Sequence, residues 1–291
     1  MTHPSDEEIP VTTTFLAPAD SPRARAPQRF AGLAGDLEGV DDDRPPLVLL
    51  HGFTFDRTMW GPALEHLRGL DPGRRVLTLD LPGHGGSTGA WAYDGESVGT
   101  AVAQAVRAAG LEAPVVVGHS YSGILATVLA ARVPTRGVVN VDQSLQTQPF
   151  ADLLRAHADQ FRGDELPPLW TAIAASMHME LLPEPARELL TATCSPRPEL
   201  LRGYWGELLD GGTGLATRLD AELARVRAAD VPYLVVSADE PGEDYRRWLR
   251  TVLPRVELEV WPASAHFPHL AHPDRFADLL AATGDWAPCD A

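Results

Sequence analysis

Residues 113–131, Ala113-Pro114-Val115-Val116-Val117-Gly118-His119-Ser120-Tyr121-Ser122-Gly123-Ile124-Leu125-Ala126-Thr127-Val128-Leu129-Ala130-Ala131, pass from a β-branched apolar run, through small residues around one serine, into an apolar stretch. A buried strand, a tight turn and a helix in that order describe a nucleophile elbow, in which the apical hydroxyl stands free at the sheet edge. A strained apex brings the flanking turns together, so the residues two before and two after it must be small. Gly118 and Ser122 meet that demand, and the second glycine of the usual G-x-S-x-G pattern stands one place later, at Gly123. A serine at a helix N-terminus also lies beside unpaired backbone N–H groups, and Tyr121 N–H is the first candidate to meet negative charge on a substrate oxygen. Taken alone, Gly-x-Ser-x-Ser also suits an ordinary strand-to-helix loop, and the rest of the chain has to decide.

The bulk properties narrow the choice. At 291 residues the chain has room for one large α/β domain or two ordinary ones, and 44% apolar residues suffice for a buried core. The balance of 24 basic against 40 acidic residues, net −16, opposes binding to nucleic acid or an anionic membrane. A small uncharged substrate is the simpler expectation, with the oligomeric state left open. Cys194 and Cys289 are far apart in sequence, so no disulfide framework or zinc site is indicated and both are expected as free thiols. Met1 to Pro10 lacks a basic segment followed by an apolar one, and no run approaches the roughly 18 apolar residues of a membrane helix. A cytoplasmic protein is the resulting expectation.

Outward from the elbow, short β-branched runs alternate with helical stretches. Leu47–Leu50, Arg75–Leu79, Val115–Val117 and Val138–Val141 are the runs, with Val98, Val102 and Val106 at helical spacing between them. Continuously apolar strands separated by helices predict a parallel sheet covered on both faces. Residues 1–44, rich in Pro, Ala and Asp with a weak strand signal at Thr12–Leu16, read as a loose arm leading into an edge hairpin. The alternation stops near Ser144 and resumes at Val231–Val236, followed by a helix around Tyr245–Leu249 and a strand at Val256–Val260. The expected core is therefore 45–144 with 229–291. Residues 145–228, helical in flavour and broken by Pro167-Pro168, Pro183 and Pro185, form an insertion placed over the strand ends. Its Met and Trp residues also suit simple core packing.

Ser120 needs a base, and His266 in Ala263-Ser264-Ala265-His266-Phe267-Pro268-His269-Leu270 follows the last predicted strand and precedes a helix starting near Pro273. From that loop an imidazole reaches the C-terminal edge of the sheet. His266, His269 and His272 are evenly spaced, but Pro268 disrupts a regular helix and no carboxylate or thiol completes a metal site. No metal is expected.

Four segments, in order, together resemble the α/β-hydrolase superfamily over roughly residues 45–285. They are Leu49-Leu50-His51-Gly52-Phe53 with Trp60 downstream, Asp80-Leu81-Pro82-Gly83-His84-Gly85-Gly86-Ser87, the elbow, and the His266 segment with His272-Pro273. The resemblance implies an α/β fold with a mostly parallel sheet, helices on both faces and a helical cap. It implies oxyanion donors at the backbone N–H groups of Phe53 and Tyr121, and structural roles for Asp80, His84, His51 and His119. It implies no cofactor, and a cap closing a mostly apolar pocket for which Trp170, Met177 and Met179 are the expected lining.

The third member of a Ser-His-acid triad stays open. After Pro232–Val236 the family commonly places a Gly-x-x-Asp turn, whereas this chain reads Ser237-Ala238-Asp239-Glu240-Pro241, with proline where the aspartate would stand. Asp142, after Val138–Val141, occupies the position used by relatives such as fungal zearalenone lactonases. Asp142 is the first choice and Asp239 or Glu240 the second. A serine at the elbow excludes the aspartate-based dehalogenases and most epoxide hydrolases. The expected activity is cleavage of a small, mostly apolar ester or lactone, with carbon–carbon bond hydrolysis, perhydrolysis, acyl transfer or non-catalytic ligand binding as alternatives.

Overall fold

The computed structural model describes residues 27–163, 166–209 and 213–286. The strands are β1 (Gln28–Phe30), β2 (Leu33–Glu38), β3 (Leu47–Leu50), β4 (Val76–Leu79), β5 (Val115–His119), β6 (Gly137–Val141), β7 (Tyr233–Ser237) and β8 (Val256–Val260). They form one eight-stranded sheet in the order β1-β2-β4-β3-β5-β6-β7-β8, in which β3 to β8 run parallel and the β1–β2 hairpin joins β4 antiparallel. The hairpin expected at the end of the arm is this β1–β2 pair; the strand signal at Thr12–Leu16 and Cys289 both lie outside the described residues.

The helices are α1 (Gly61–Leu70), α2 (Gly95–Ala108), α3 (Tyr121–Ala130), α4 (Gln148–Ala156), α5 (Ala158–Arg162), α6 (Leu166–Ala175), α7 (Glu184–Thr193), α8 (Pro198–Leu209), α9 (Thr213–Ala228), α10 (Glu243–Val252), α11 (Pro268–Ala271) and α12 (Pro273–Ala282). Successive strand residues point to opposite faces, and here both faces are apolar. Val48, Leu50, Val116 and Val138 pack into one core with α2 and α3, while Leu47, Leu49, Val117, Val139 and Val141 pack into the other with α1 and α12. Helix α3 is apolar all round because it runs directly behind the sheet centre, and nine of its ten residues are buried.

Register sets the site. Leu50 pairs with Gly118, His119 with Val141, and Val141 with Val236, so β3, β5, β6 and β7 finish nearly level at their carboxyl ends. Residues leaving those strands therefore meet in one crevice, where open α/β sheets bind ligands. Helices α4 to α9 fall between β6 and β7, and α4, α6 and α8 line the crevice at this edge while α9 packs along α3. Among the described residues no helix is long and apolar enough to cross a membrane.

Candidate active site

Ser120 joins β5 to α3 with φ 54° and ψ −134°, a conformation that costs of order 1–3 kcal/mol in a non-glycine residue. Its neighbours hold it there: Ser120 N–H donates to Val141 O at 2.9 Å, and Gly123 N–H donates to Ser120 O at 2.7 Å. The small flanking residues have separate reasons. A Cβ on Gly118 would stand 2.0 Å from the Ser122 carbonyl oxygen. Ser122 uses its hydroxyl, which donates to His51 O at 2.6 Å and ties the first turn of α3 to the end of β3. A Cβ on Gly123 would stand 2.5 Å from Asn140 Oδ1 and 2.8 Å from Gln143 Cβ, so the displaced glycine is where α3 crosses the end of β6.

Because the obstacle at Gly118 is backbone, it cannot swing aside. Gly118→Ala is expected to cost about 3 kcal/mol or more through overpacking. Gly206→Ala in α8, where an added methyl meets nothing within 4 Å, should be neutral or slightly stabilising. Urea midpoints of the two variants check the contrast.

His266 stands in the loop between β8 and α11, reached through Ala263 at φ 60° and Ala265 at φ 50°. Its backbone is clamped from both sides. His266 N–H donates to Met177 O at 3.1 Å, and His119 Nε2–H donates to His266 O at 2.7 Å. Because that oxygen can only accept, the proton of His119 is on Nε2, and its bare Nδ1 faces Gly52, where a Cβ would approach to 2.4 Å. His119 is thus a prop beneath the His266 loop, and Gly52 is small so that its own loop can pass over the ring.

The structure brings Ser120, His266 and Asp142 together. His266 Nε2 lies 2.9 Å from Ser120 Oγ and His266 Nδ1 lies 2.7 Å from Asp142 Oδ2. A proton on Nδ1 bonded to the carboxylate leaves Nε2 free to accept from the serine hydroxyl. Asp142 leaves β6 with φ 56°, a left-handed conformation that aspartate tolerates, and its other oxygen accepts Ala238 N–H at 2.7 Å. Asp239 and Glu240 are exposed and are not brought to His266; Glu240 is ion-paired with Arg246.

Phe53 and Tyr121 both line the cavity beside Ser120, and among the described residues neither backbone N–H has a hydrogen-bond partner. The turn carrying Phe53 is held from two directions. Thr54 N–H donates to His84 Nε2 at 3.2 Å, and Thr54 O accepts Ser195 N–H, just after α7, at 2.7 Å. Asp80, fully buried, accepts from Arg57 and Gly86 and shapes the neighbouring turn. His51 Nε2 accepts Leu81 N–H at 2.9 Å. These side chains are scaffold around the crevice. The third histidine of the evenly spaced trio, His272, packs against Trp261, away from His266 and His269.

Burial, helped by a neighbouring histidine, holds both His84 and His269 down to about 3. His51 and His119 are lowered by burial in the same direction. In the unfolded chain these imidazoles titrate near 6.5, so unfolding takes up protons below that pH. Stability is therefore full above about pH 6.5 and is lost as pH falls from there toward 3, at about 1.4 kcal/mol per pH unit for each such histidine. Urea midpoints at pH 7.5, 6 and 5 should fall accordingly, and His269→Phe should flatten the slope.

A cavity of about 330 Å³ opens onto Ser120 and His266. Trp170 and Met177 line it as expected, but Met179 does not. His178 between them adopts the left-handed conformation and starts a short 3-10 turn, and Met179, half-buried, packs off the cavity against the α1 and α12 core that Met177 also touches. Sequence reading missed Phe150, Trp205 and Leu208 as lining, and the polar residues Gln143, Ser144 and Gln146 that follow Asp142. Only the last group carried a signal, a run of uncharged polar residues broken by Leu145 alone, directly after a strand-end carboxylate.

The family model for the alpha/beta hydrolase family matches residues 47–279. The chain belongs to the alpha/beta hydrolase family. Within that family it is 29% identical over 255 residues to a pimeloyl-[acyl-carrier protein] methyl ester esterase from Nitrosospira multiformis, an alignment covering 80% of this chain and 91% of the relative. It is 24% identical over 253 residues to a 2-succinyl-6-hydroxy-2,4-cyclohexadiene-1-carboxylate synthase from Serratia proteamaculans, covering 84% and 94%. An esterase from Exiguobacterium antarcticum has the same hydrolase fold, with a TM-score of 0.67 at 17% identity over 86% of this chain and 94% of that one.

Proposed function

We propose that this alpha/beta hydrolase cleaves a small uncharged carboxylic ester or lactone through an acyl-enzyme on Ser120. The reading rests on one observation, the hydrogen-bonded line from Asp142 through His266 to Ser120 at the floor of the cavity. Ser120 Oγ attacks the carbonyl carbon while His266 Nε2 takes its proton. Asp142 keeps the other proton on Nδ1 and stabilises the imidazolium as it forms. Phe53 N–H and Tyr121 N–H receive the oxyanion, each contributing about 3 kcal/mol to the barrier reduction. His266 then protonates the leaving alcohol, and water, activated by the same imidazole, releases the acid.

The similarity to a methyl ester esterase over most of the chain supports ester cleavage. The similarity to a 2-succinyl-6-hydroxy-2,4-cyclohexadiene-1-carboxylate synthase supports a second reading, in which the same three side chains serve a non-hydrolytic reaction on a carboxylated substrate. The cavity favours the first, because among the described residues its titratable lining is Asp142, His266 and Tyr121, with no arginine to meet a substrate carboxylate. The test is incubation with aryl esters of graded chain length and with lactones, followed by a fluorophosphonate probe and peptide mapping. We expect one label per chain, on Ser120, and loss of turnover in step with labelling. Full labelling of a chain that turns over no ester or lactone would reject the hydrolase reading.

A further inference from the structure

The cavity has two unlike halves. Its closed end is aromatic and centred on Trp205, which lies 5.1 Å from Phe53, 5.0 Å from Phe150 and 5.9 Å from Trp170 between ring centroids. Trp205, Phe53 and Trp170 are all buried. The mouth is a strip of uncharged hydrogen-bonding groups, Gln143, Ser144 and Gln146, of which the last two are exposed. Their bonding leaves capacity toward the cavity. Gln143 Nε2 donates to Ser144 O at 2.7 Å, which leaves its amide oxygen, and among the described residues the Gln146 carboxamide has no partner.

Reaction chemistry assigns the halves. The leaving oxygen must lie on the His266 side of Ser120, because Nε2 protonates it, and the acyl substituent must project away from that imidazole. Asp142 backs His266, and the polar strip follows directly from Asp142 in the chain. Trp205 contacts Phe53, whose N–H is on the oxyanion side. We infer that the substrate is an uncharged ester whose acid half is aromatic or bulky and apolar, seated against Trp205 and Phe150, and whose alcohol half carries hydroxyl or amide groups that Gln143 and Gln146 bind at the mouth. The inference rests on the proposed role of Ser120 and adds which half of the ester each wall selects. A carboxylate on the acid half is disfavoured by the aromatic wall, since it would be desolvated against Trp205 with no cation among the described lining residues to pair with.

The experiment uses matched pairs on the full chain. The 2,3-dihydroxypropyl and propyl esters of 3-phenylpropanoic acid differ only at the mouth. The p-nitrophenyl esters of 3-phenylpropanoic and acetic acid differ only at the closed end, and the p-nitrophenyl monoester of glutaric acid tests the carboxylate. We expect kcat/KM to favour the dihydroxypropyl over the propyl ester, and the phenylpropanoyl over the acetyl ester, each by about tenfold, with the glutaric monoester slowest. Gln143→Ala with Gln146→Ala should collapse the first ratio toward unity and leave the second, and Phe150→Ala should do the reverse. A preference for the propyl ester, ratios unmoved by these variants, or a fast glutaric monoester would overturn the inference. Turnover of the p-nitrophenyl acetate standard by the parent chain separates the two levels. If the standard is cleaved and the ratios are wrong, only the division of the cavity falls; if the standard and every other ester are inert, the ester-hydrolase reading falls with it.

Discussion

Ser120→Ala should lower kcat on a p-nitrophenyl ester by about 10⁴-fold or more and abolish covalent labelling by a fluorophosphonate, with little change in fold. The expectation follows from how the residue is held. The backbone at Ser120 is set by its own N–H on Val141 O and by Gly123 N–H on its carbonyl, and neither bond involves the hydroxyl. Among the described residues the hydroxyl has one hydrogen-bond partner, His266 Nε2. Alanine removes that single contact and the nucleophile while the elbow keeps its geometry, so the thermal midpoint should move by no more than a few degrees. Any residual turnover measures the contribution of Phe53 N–H, Tyr121 N–H and binding alone. Phosphonate labelling that persists in Ser120→Ala would place the nucleophile elsewhere.

The second large effect is expected at the acid. Asp142→Asn should reduce kcat by about 10⁴-fold, because the amide has only two orientations and both are wrong. With its oxygen kept on Ala238 N–H, its NH₂ faces His266 Nδ1, which must then accept and shift the ring proton to Nε2. An imidazole protonated at Nε2 cannot take the serine proton. Turned over, the amide sets its NH₂ against Ala238 N–H, two donors face to face, and strains the β6–β7 crevice. Asp239→Asn and Glu240→Gln, at exposed positions away from His266, should stay within about twofold of the parent chain. Equal losses across the three variants would remove Asp142 from the role proposed for it. A rise in KM without a fall in kcat would make it a binding residue.

Much of the architecture was legible because strands and turns are local. Val115–Val117 is continuously apolar and Val138–Val141 is apolar except at Asn140, and the sheet buries both faces of each. The small residues around Ser120 signalled a close approach of backbones, although not which ones; that Gly123 is small because of Asn140 and Gln143 is a contact between residues distant in the chain. The lining of the cavity was less legible. A methionine two residues from Met177 looked equivalent to it, but the left-handed turn at His178 separates the two, and no composition rule marks that turn. Phe150 and Trp205 face one another from α4 and α8, across more than fifty residues, and a helical pattern reports which face of each helix is apolar without saying what it meets.

The alternation of strands and helices, the strand-to-helix turn at Ser120 and the loop after the last strand that carries His266 could all be read from the chain, because each depends on residues adjacent in it. Which carboxylate reaches that histidine depends on folding. The register of β5, β6 and β7 brings the ends of Ser120's strand and Asp142's strand level, and the Ala238 N–H of a third strand end turns the Asp142 carboxylate toward Nδ1. That choice is made by hydrogen bonds between segments about a hundred residues apart, and such bonds exist only once the sheet has closed.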